Sequence, residues 1–212
     1  MKTWGTAIRL LLVLTLITGV LYPLAVTLAG TILMPHLAGG SLVERDGTIV
    51  GSTLIAQTPF QVDADGQILN LEAIAPYFWA RPSAVNAMLG SSESALATSG
   101  GSNLGPTSAV LQAQVLARET AFRAANGVPA AVRVPDDMLF ASASGLDPHI
   151  SPQAAFLQVE RVARARGLDQ EQVFHLTEAH VEHPLLNLLG QPRVNVLALN
   201  VALDALAAEA QP

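Results

Sequence analysis

Ser142, Ser144, Asp147 and His149 set hydroxyl, carboxylate and imidazole groups within eight residues, the types that a nucleophile, an orienting acid and a general base require. Triads are assembled in space rather than by adjacency, and Ala141-Ser142-Ala143-Ser144-Gly145 lacks the flanking glycines of a nucleophile elbow. The stretch reads first as a turn, because Gly145 permits an unusual φ and Asp147-Pro148 favours turn initiation. A second cluster, His175, Glu178, His180, Glu182 and His183, carries metal-ligand types on one expected helix. His175 and His180 stand about 140° apart on a 3.6-residue period and no His-Glu-x-x-His spacing occurs, so a solvated polar face is expected. Ser99-Gly100-Gly101-Ser102-Asn103 has the glycines to cradle a phosphate on backbone N–H groups. It lacks the Gly-Lys-Ser/Thr ending of a P-loop and reads as a turn or a partner-contact loop.

Composition removes further chemistry. There is no Cys, which excludes disulfides, thiolate metal sites and cysteine nucleophiles, and the only Lys is Lys2. Schiff-base chemistry, Ser-Lys dyads and a P-loop lysine are thereby excluded from everything beyond the first few residues. From residue 35 onward nine Arg face 17 acids, a net charge of −8. Such a surface repels a phosphate backbone, so nucleic acid is not an expected partner; attraction of cations is the sharper alternative to plain solubility.

The groups that remain are held by a chain with one dominant element. Leu10 to Met34 is 25 residues without a charge, about 38 Å of helix against a hydrocarbon core of roughly 30 Å. It is too long for a signal-peptide core of about 7 to 15 residues, and Thr27-Leu28-Ala29 is a poor cleavage site, so we read an uncleaved transmembrane helix over 8–34. Lys2 and Arg9 precede its uncharged run, whereas Glu44, Arg45 and Asp46 are the first charges after it, which by the positive-inside rule makes 1–7 a cytoplasmic tail and 35–212 an exported domain. Thr15, Gly19, Pro23, Thr27 and Gly30 recur every three or four residues as a candidate helix-contact seam.

The exported part reads as one α+β domain without repeats. Leu42–Gln57 is expected as a hairpin turning at Asp46-Gly47, with its second strand running on through Leu54 and Ile55. Tyr77-Phe78-Trp79 is expected as a short strand ending before Pro82. Residues 90–107 form a long Gly/Ser-rich loop. A helix then starts at Thr107 or Ser108 and stops at Asn126-Gly127, with Leu111, Val115 and Phe122 on one face and Arg118, Glu119 and Arg123 mostly exposed. Val132–Ala143 is expected as a second strand region broken at Pro135. Ser151-Pro152 opens a helix ending at Gly167, Asp169 and Gln172 form a capping box for the next helix, and Arg193–Ala208 is the last helix. The arginines from Arg161 to Arg193 read as surface, with Glu160 and Arg164 able to pair at i,i+4.

Six ordered strings carry a resemblance. They are Gly51-Ser52-Thr53-Leu54-Ile55-Ala56-Gln57, with Ala56 where a Gly is expected; Tyr77-Phe78-Trp79-Ala80-Arg81-Pro82-Ser83-Ala84; Ser99 to Pro106; Ser142 to Ser151; Gln158 to Arg166; and Gly190 to Asn200. Together with the apolar helix they resemble the KdpC family, the small subunit of the bacterial Kdp potassium-transporting P-type ATPase. The resemblance implies a non-catalytic subunit in the bacterial inner membrane, with a channel-like partner, KdpA, that carries K⁺ and a P-type partner, KdpB, that hydrolyses ATP. In keeping with it, the chain has no Asp-Lys-Thr-Gly phosphorylation motif. It also implies a role in assembly, and a catalytic-chaperone role in which the chain raises the ATP affinity of KdpB through shared contact with nucleotide. That last role conflicts with an exported domain, because ATP is cytoplasmic.

As partner-contact or structural candidates the resemblance implies Gly51, Ser52, Gln57, Arg81, Pro82, Ser99, Gly100, Ser102, Asn103, Gly105 and Pro106. Further along it implies Ser144, Gly145, Asp147, Pro148, Gln158, Arg161, Arg193, Asn195 and Asn200. No metal site, catalytic residue or cofactor of the chain's own is expected, and ATP and potassium belong to the complex. The alternatives are a membrane-tethered serine hydrolase using Ser144 and His149, and a free-standing periplasmic binding module.

Overall fold

A proline inside a helix removes one backbone donor and pushes its ring against the carbonyl four residues back, and the first helix of this chain adjusts to that constraint at Pro23. The computed structural model describes residues 2–45, 47–56, 74–83, 99–184, 186 and 188–210. Helix α1 (Lys2–Leu16) runs through a π turn (Ile17–Leu21) into α2 (Tyr22–Leu33). In the π turn the Tyr22 N–H reaches back to the Ile17 carbonyl. The wider turn opens room for the Pro23 ring next to Gly19 without ending the helix. Thr3–Leu33, 31 residues, is long and apolar enough to cross a membrane, about 47 Å of rise. Thr18 and Thr31 donate their hydroxyls to the carbonyls of Leu14 and Thr27, at 2.7 and 2.8 Å, so neither exposes an unmet donor to an apolar solvent.

The chain divides into two compact units, Met1–Ser52 and Thr53–Pro212. In the first, the rod ends at Met34, a short helix α3 (Pro35–Ala38) follows, and Gly40 at φ +89° turns the chain. Strands β1 (Leu42–Arg45) and β2 (Thr48–Ser52) pair antiparallel, Arg45 opposite Thr48, with Gly47 at φ +75° in the connection. The expected hairpin is present but β2 stops at Ser52, short of Ile55. Its register slips between Val43 and Glu44, so that Val50 is an extra residue that bends the strand.

The second unit is α+β. Helix α4 (Ala109–Asn126) begins where Ser108 accepts the Leu111 N–H and ends at Gly127 in the left-handed conformation, φ +63°. The strand expected over Val132–Ala143 is absent, replaced by a 3₁₀ turn at Asp136–Met138 in which the Pro135 carbonyl accepts the Met138 N–H. β3 (His149–Ile150), β4 (Val181–Glu182) and β5 (Arg193–Asn195) form an antiparallel sheet in the order β3-β5-β4. The last helix, α8 (Val196–Ala210), therefore starts after a strand instead of at Arg193. Asn195 caps it by accepting the Ala198 N–H.

Between β3 and β4 the helix expected from Pro152 to Gly167 is two helices, α5 (Pro152–Phe156) and α6 (Val159–Arg166), and α7 (Gln170–Ala179) follows, capped by Asp169. The break falls at Gln158, which is fully buried. Its amide accepts the Trp79 N–H at 2.7 Å and donates to the Trp79 and Ala154 carbonyls. Asn200 on α8 does the same for Phe78, accepting its N–H at 2.8 Å and donating to its carbonyl at 3.0 Å. The expected strand at Tyr77–Trp79 is thus absent: the Tyr77 N–H closes a turn onto the Ile74 carbonyl, and the backbone of Phe78 and Trp79 pairs with two side-chain amides, not with another strand. Phe78 and Trp79 enter the core with Ile150, Val162, Val194, Leu199 and Leu203.

Arg161, expected at the surface, is buried in this seal. It stacks 4.4 Å from the Trp79 ring centroid and donates to Asn126, Gln158 and the carbonyls of Ala75 and Tyr77. Burial pulls its pKa down from the ordinary arginine value to about 9, which leaves it a cation at neutral pH. Arg166 lies over Tyr77, bonds the Pro76 carbonyl and pairs with Asp204 at 2.6 Å. Arg118 and Arg123 are half-buried where exposure was expected: Arg118 donates to the Leu139 carbonyl, and Arg123 to those of Pro129 and Val132. Glu160 and Arg164 form the expected i,i+4 pair.

Candidate functional site

The latched 78–79 segment delivers Arg81 to a cleft. Arg81 Nη1 donates to Asp147 Oδ2 at 2.9 Å, and the other oxygen of Asp147 accepts the His149 N–H at 3.0 Å and lies 3.4 Å from His149 Nδ1. One carboxylate therefore joins the segment after Trp79 to the first residue of β3. Ser83 Oγ donates to the Gly145 carbonyl, while Ser99 Oγ and the Gly100 N–H both donate to the carbonyl of Ser144. A Cβ built on Gly101 would meet the Ala143 carbonyl oxygen at 3.0 Å, so glycine lets the two backbones approach closely without displacing that carbonyl. The Ala56 N–H donates to the Leu146 carbonyl, and Asn195 Nδ2 to that of Thr53. Four of the strings that carried the resemblance, those containing Ala56, Arg81, Gly100 and Asp147, are stitched to one another at the Ser142–His149 turn.

Around this junction lies an open cleft of about 640 Å³. Arg81, Asp147 and His149 form one part of its wall, and Arg133, Asp136 and Asp137 of the 3₁₀ turn another. Gln191, Pro192 and Arg193, which lead into β5, complete it with Ser151 and Gln153 of the α5 start. Asp137 accepts both the N–H and the hydroxyl of Ser151, Arg133 holds Asp136 at 2.9 Å, and Arg193 holds Glu182 at 2.9 Å. Each charged group on the wall already has a partner of opposite charge or a hydrogen-bond donor.

The hydroxyl of Ser144 accepts the Leu146 N–H at 3.1 Å and lies 3.5 Å from Ser142 Oγ, and the His149 ring leans on Asp147. Among the described contacts Ser144 and His149 do not meet, and Gly145 at φ +68° makes the stretch a turn. On α7, His175 sits 3.4 Å from Glu178 and 3.8 Å from Glu171 at the surface, and His180 Nδ1 bonds the Leu176 carbonyl. No group of three metal-ligand types able to hold an ion occurs among the described residues.

The residues implied by resemblance therefore separate by place. Arg81, Asp147 and Arg193 line the cleft; Ser99, Gly100, Ser144 and Gly145 build the junction behind it, and Pro82 continues the segment from Arg81. Gln158, Arg161, Asn195 and Asn200 hold the core and the start of α8, with Pro148 bonding its carbonyl to the Val196 N–H. Ser102, Asn103, Gly105 and Pro106 are exposed and lead into α4, where the Gly105 carbonyl accepts the Ser108 N–H. Gly51 and Ser52 lie in β2, Ser52 Oγ donating to the Gly40 carbonyl at 2.7 Å; Gln57 falls outside the described residues. Thr15, Gly19, Pro23, Thr27 and Gly30 are all on the apolar rod, and a Cβ on Gly19 would touch only Thr15, at 4.0 Å. Asp137, Gln153 and Gln191 were not anticipated for the cleft; no spacing in the sequence links them, because they meet only once β3 and β5 pair.

A family model described as "KdpC: K+-transporting ATPase, c chain" matches residues 4–205. Over 199 residues the chain is 51% identical to the potassium-transporting ATPase KdpC subunit of Cereibacter sphaeroides, covering 94% of this chain and 95% of that relative. It is 50% identical to the KdpC subunits of Sorangium cellulosum, with 93% and 95% covered, and of Polaromonas naphthalenivorans, with 94% and 93% covered.

Proposed function

The chain belongs to the KdpC family of K⁺-transporting ATPase subunits, and from that premise we propose that it is a non-catalytic accessory subunit that assembles and stabilises the transporter. The observation that carries the proposal is the extent of the family match, residues 4–205, which takes in the apolar rod and the α+β unit together. A rod with a seam of small residues suits packing among the helices of a K⁺-carrying subunit, KdpA, and an ATP-hydrolysing subunit, KdpB. The cleft, with its satisfied ion pairs, suits contact with a partner rather than bond-making.

Lys2 and Arg9 at the N-terminal end of the span favour an N-terminal side in the cytoplasm and an α+β unit outside the inner membrane. The folded unit then lies over or beside the external entrance of the potassium pathway, and its acidic balance attracts cations there. In this orientation the unit has no access to cytoplasmic ATP.

A reporter fused after residue 212 tests the topology. Periplasmic activity is expected, and a cytoplasmic signal overturns the placement at the pore entrance. Affinity recovery of the full chain from native membranes should bring the potassium-carrying and ATP-hydrolysing subunits with it; their absence overturns the accessory role.

A further inference from the structure

The connection between β4 and β5 breaks the usual rule for a soluble surface. Leu186, Leu188 and Leu189 are 78, 79 and 71% exposed, and no charged residue occurs from Pro184 to Pro192. Leu186 also adopts φ +55°, a left-handed position for which Gly or Asn is the low-cost choice.

We propose that this leucine loop is a docking tip that seats in an apolar pocket on the exported side of a membrane-embedded partner subunit. The inference rests on the accessory-subunit reading and names the surface that reading requires. A chain with a membrane span meets two large apolar surfaces, lipid and membrane protein, and the chemistry of the loop favours the second. Segments that settle into the bilayer interface carry Trp or Tyr at headgroup level and basic residues for anionic lipids. From Pro184 to Pro192 there is neither. The adjoining Arg193 is engaged by Glu182, and nine Arg against 17 acids from residue 35 onward leave the surface repelled by anionic headgroups.

The loop is also continuous with the cleft, since it runs directly into Gln191, Pro192 and Arg193 of the cleft wall. An apolar tip beside a rim of exchangeable ion pairs has the anatomy of a protein–protein interface, an apolar centre with a polar margin.

A photoreactive benzophenone amino acid at position 188 of the full chain, irradiated in native membranes, tests this, with position 116 on exposed α4 as control. The expected product is an adduct from 188, and none from 116, with the same membrane subunit that co-purifies with the unaltered chain. In parallel, L186S/L188S/L189S should lower recovery of that subunit by about tenfold or more. Its melting temperature should stay unchanged, because these side chains are already in water. Adducts confined to lipid or to a second copy of the chain, or full recovery of the subunit by the triple variant, overturn the docking tip alone. Failure of the unaltered chain to bring any membrane subunit overturns both the tip and the accessory-subunit reading.

Discussion

Two amides and one guanidinium replace a β-strand in this molecule. Gln158 and Asn200 each bond both backbone groups of one residue, Trp79 and Phe78, and Arg161 gathers the carbonyls of the turn before them. Replacing Gln158 by Leu removes the amide that bonds both the Trp79 N–H and carbonyl in the core, a loss of about 2–4 kcal/mol, measurable as a lower denaturation midpoint of the detergent-solubilised chain. Asn200→Leu should cost a similar amount, and the double variant should lose less than the sum, because both amides hold adjacent residues of one segment and either loss frees it in part. Arg161→Lys keeps the charge but loses the fork that reaches Asn126, Gln158 and Tyr77 at once, so it should recover less than half the stability lost in Arg161→Met. None of this was legible from residue type. A lone Gln or Arg on an amphipathic helix reads as solvent-facing, and the partners of Gln158 and Asn200 lie 79 and 122 residues away in the chain.

Elements whose boundaries are set by local chemistry were legible; those set by distant partners were not. Ser108, Ser151, Asp169, Gly127 and Gly167 cap as their types demand, since capping joins groups within a few residues of each other. The break at Gln158 and the missing strands at Tyr77–Trp79 and Val132–Ala143 depend on tertiary partners instead. In the span, the π turn alters the angular spacing of the residues proposed as a seam. On an ideal helix, positions four apart drift by about 40°, so Thr15 and Thr27 would diverge by about 120°. The π turn at Ile17–Leu21 takes up an extra residue and rotates the second half of the rod back, which offsets that drift. Replacing Thr15, Gly19 and Thr27 together by Leu leaves the span apolar but fills the seam. Recovery of the transporter subunits with the chain should fall several-fold, whereas leucines placed at Ala25 and Ala29 should leave it unchanged. Equal recovery from both sets would remove the seam from the mechanism.

At the scale of the whole molecule, the proposed orientation gives the charge balance a testable consequence. All 17 acids lie beyond the span, and Glu171 and Glu178 on α7 are among the exposed ones. An acidic surface beside the outer end of a potassium pathway raises the local cation concentration through a field that salt screens over about 10 Å at 0.1 M and about 30 Å at 0.01 M. Glu171→Gln, Glu178→Gln and Glu209→Gln together would remove three of 17 acids without disturbing the cleft or the core. In the purified transporter, the K⁺ concentration giving half-maximal ATPase activity should rise by roughly twofold at low ionic strength, as the weakened field no longer concentrates the ion. The shift should disappear when an inert salt is raised toward 1 M, where screening is complete within about 3 Å. A shift that persists at high salt would mean that these carboxylates bind K⁺ directly or support the structure. No shift at low salt would mean that the acidic balance serves solubility alone, with the potassium entrance indifferent to the charge beside it.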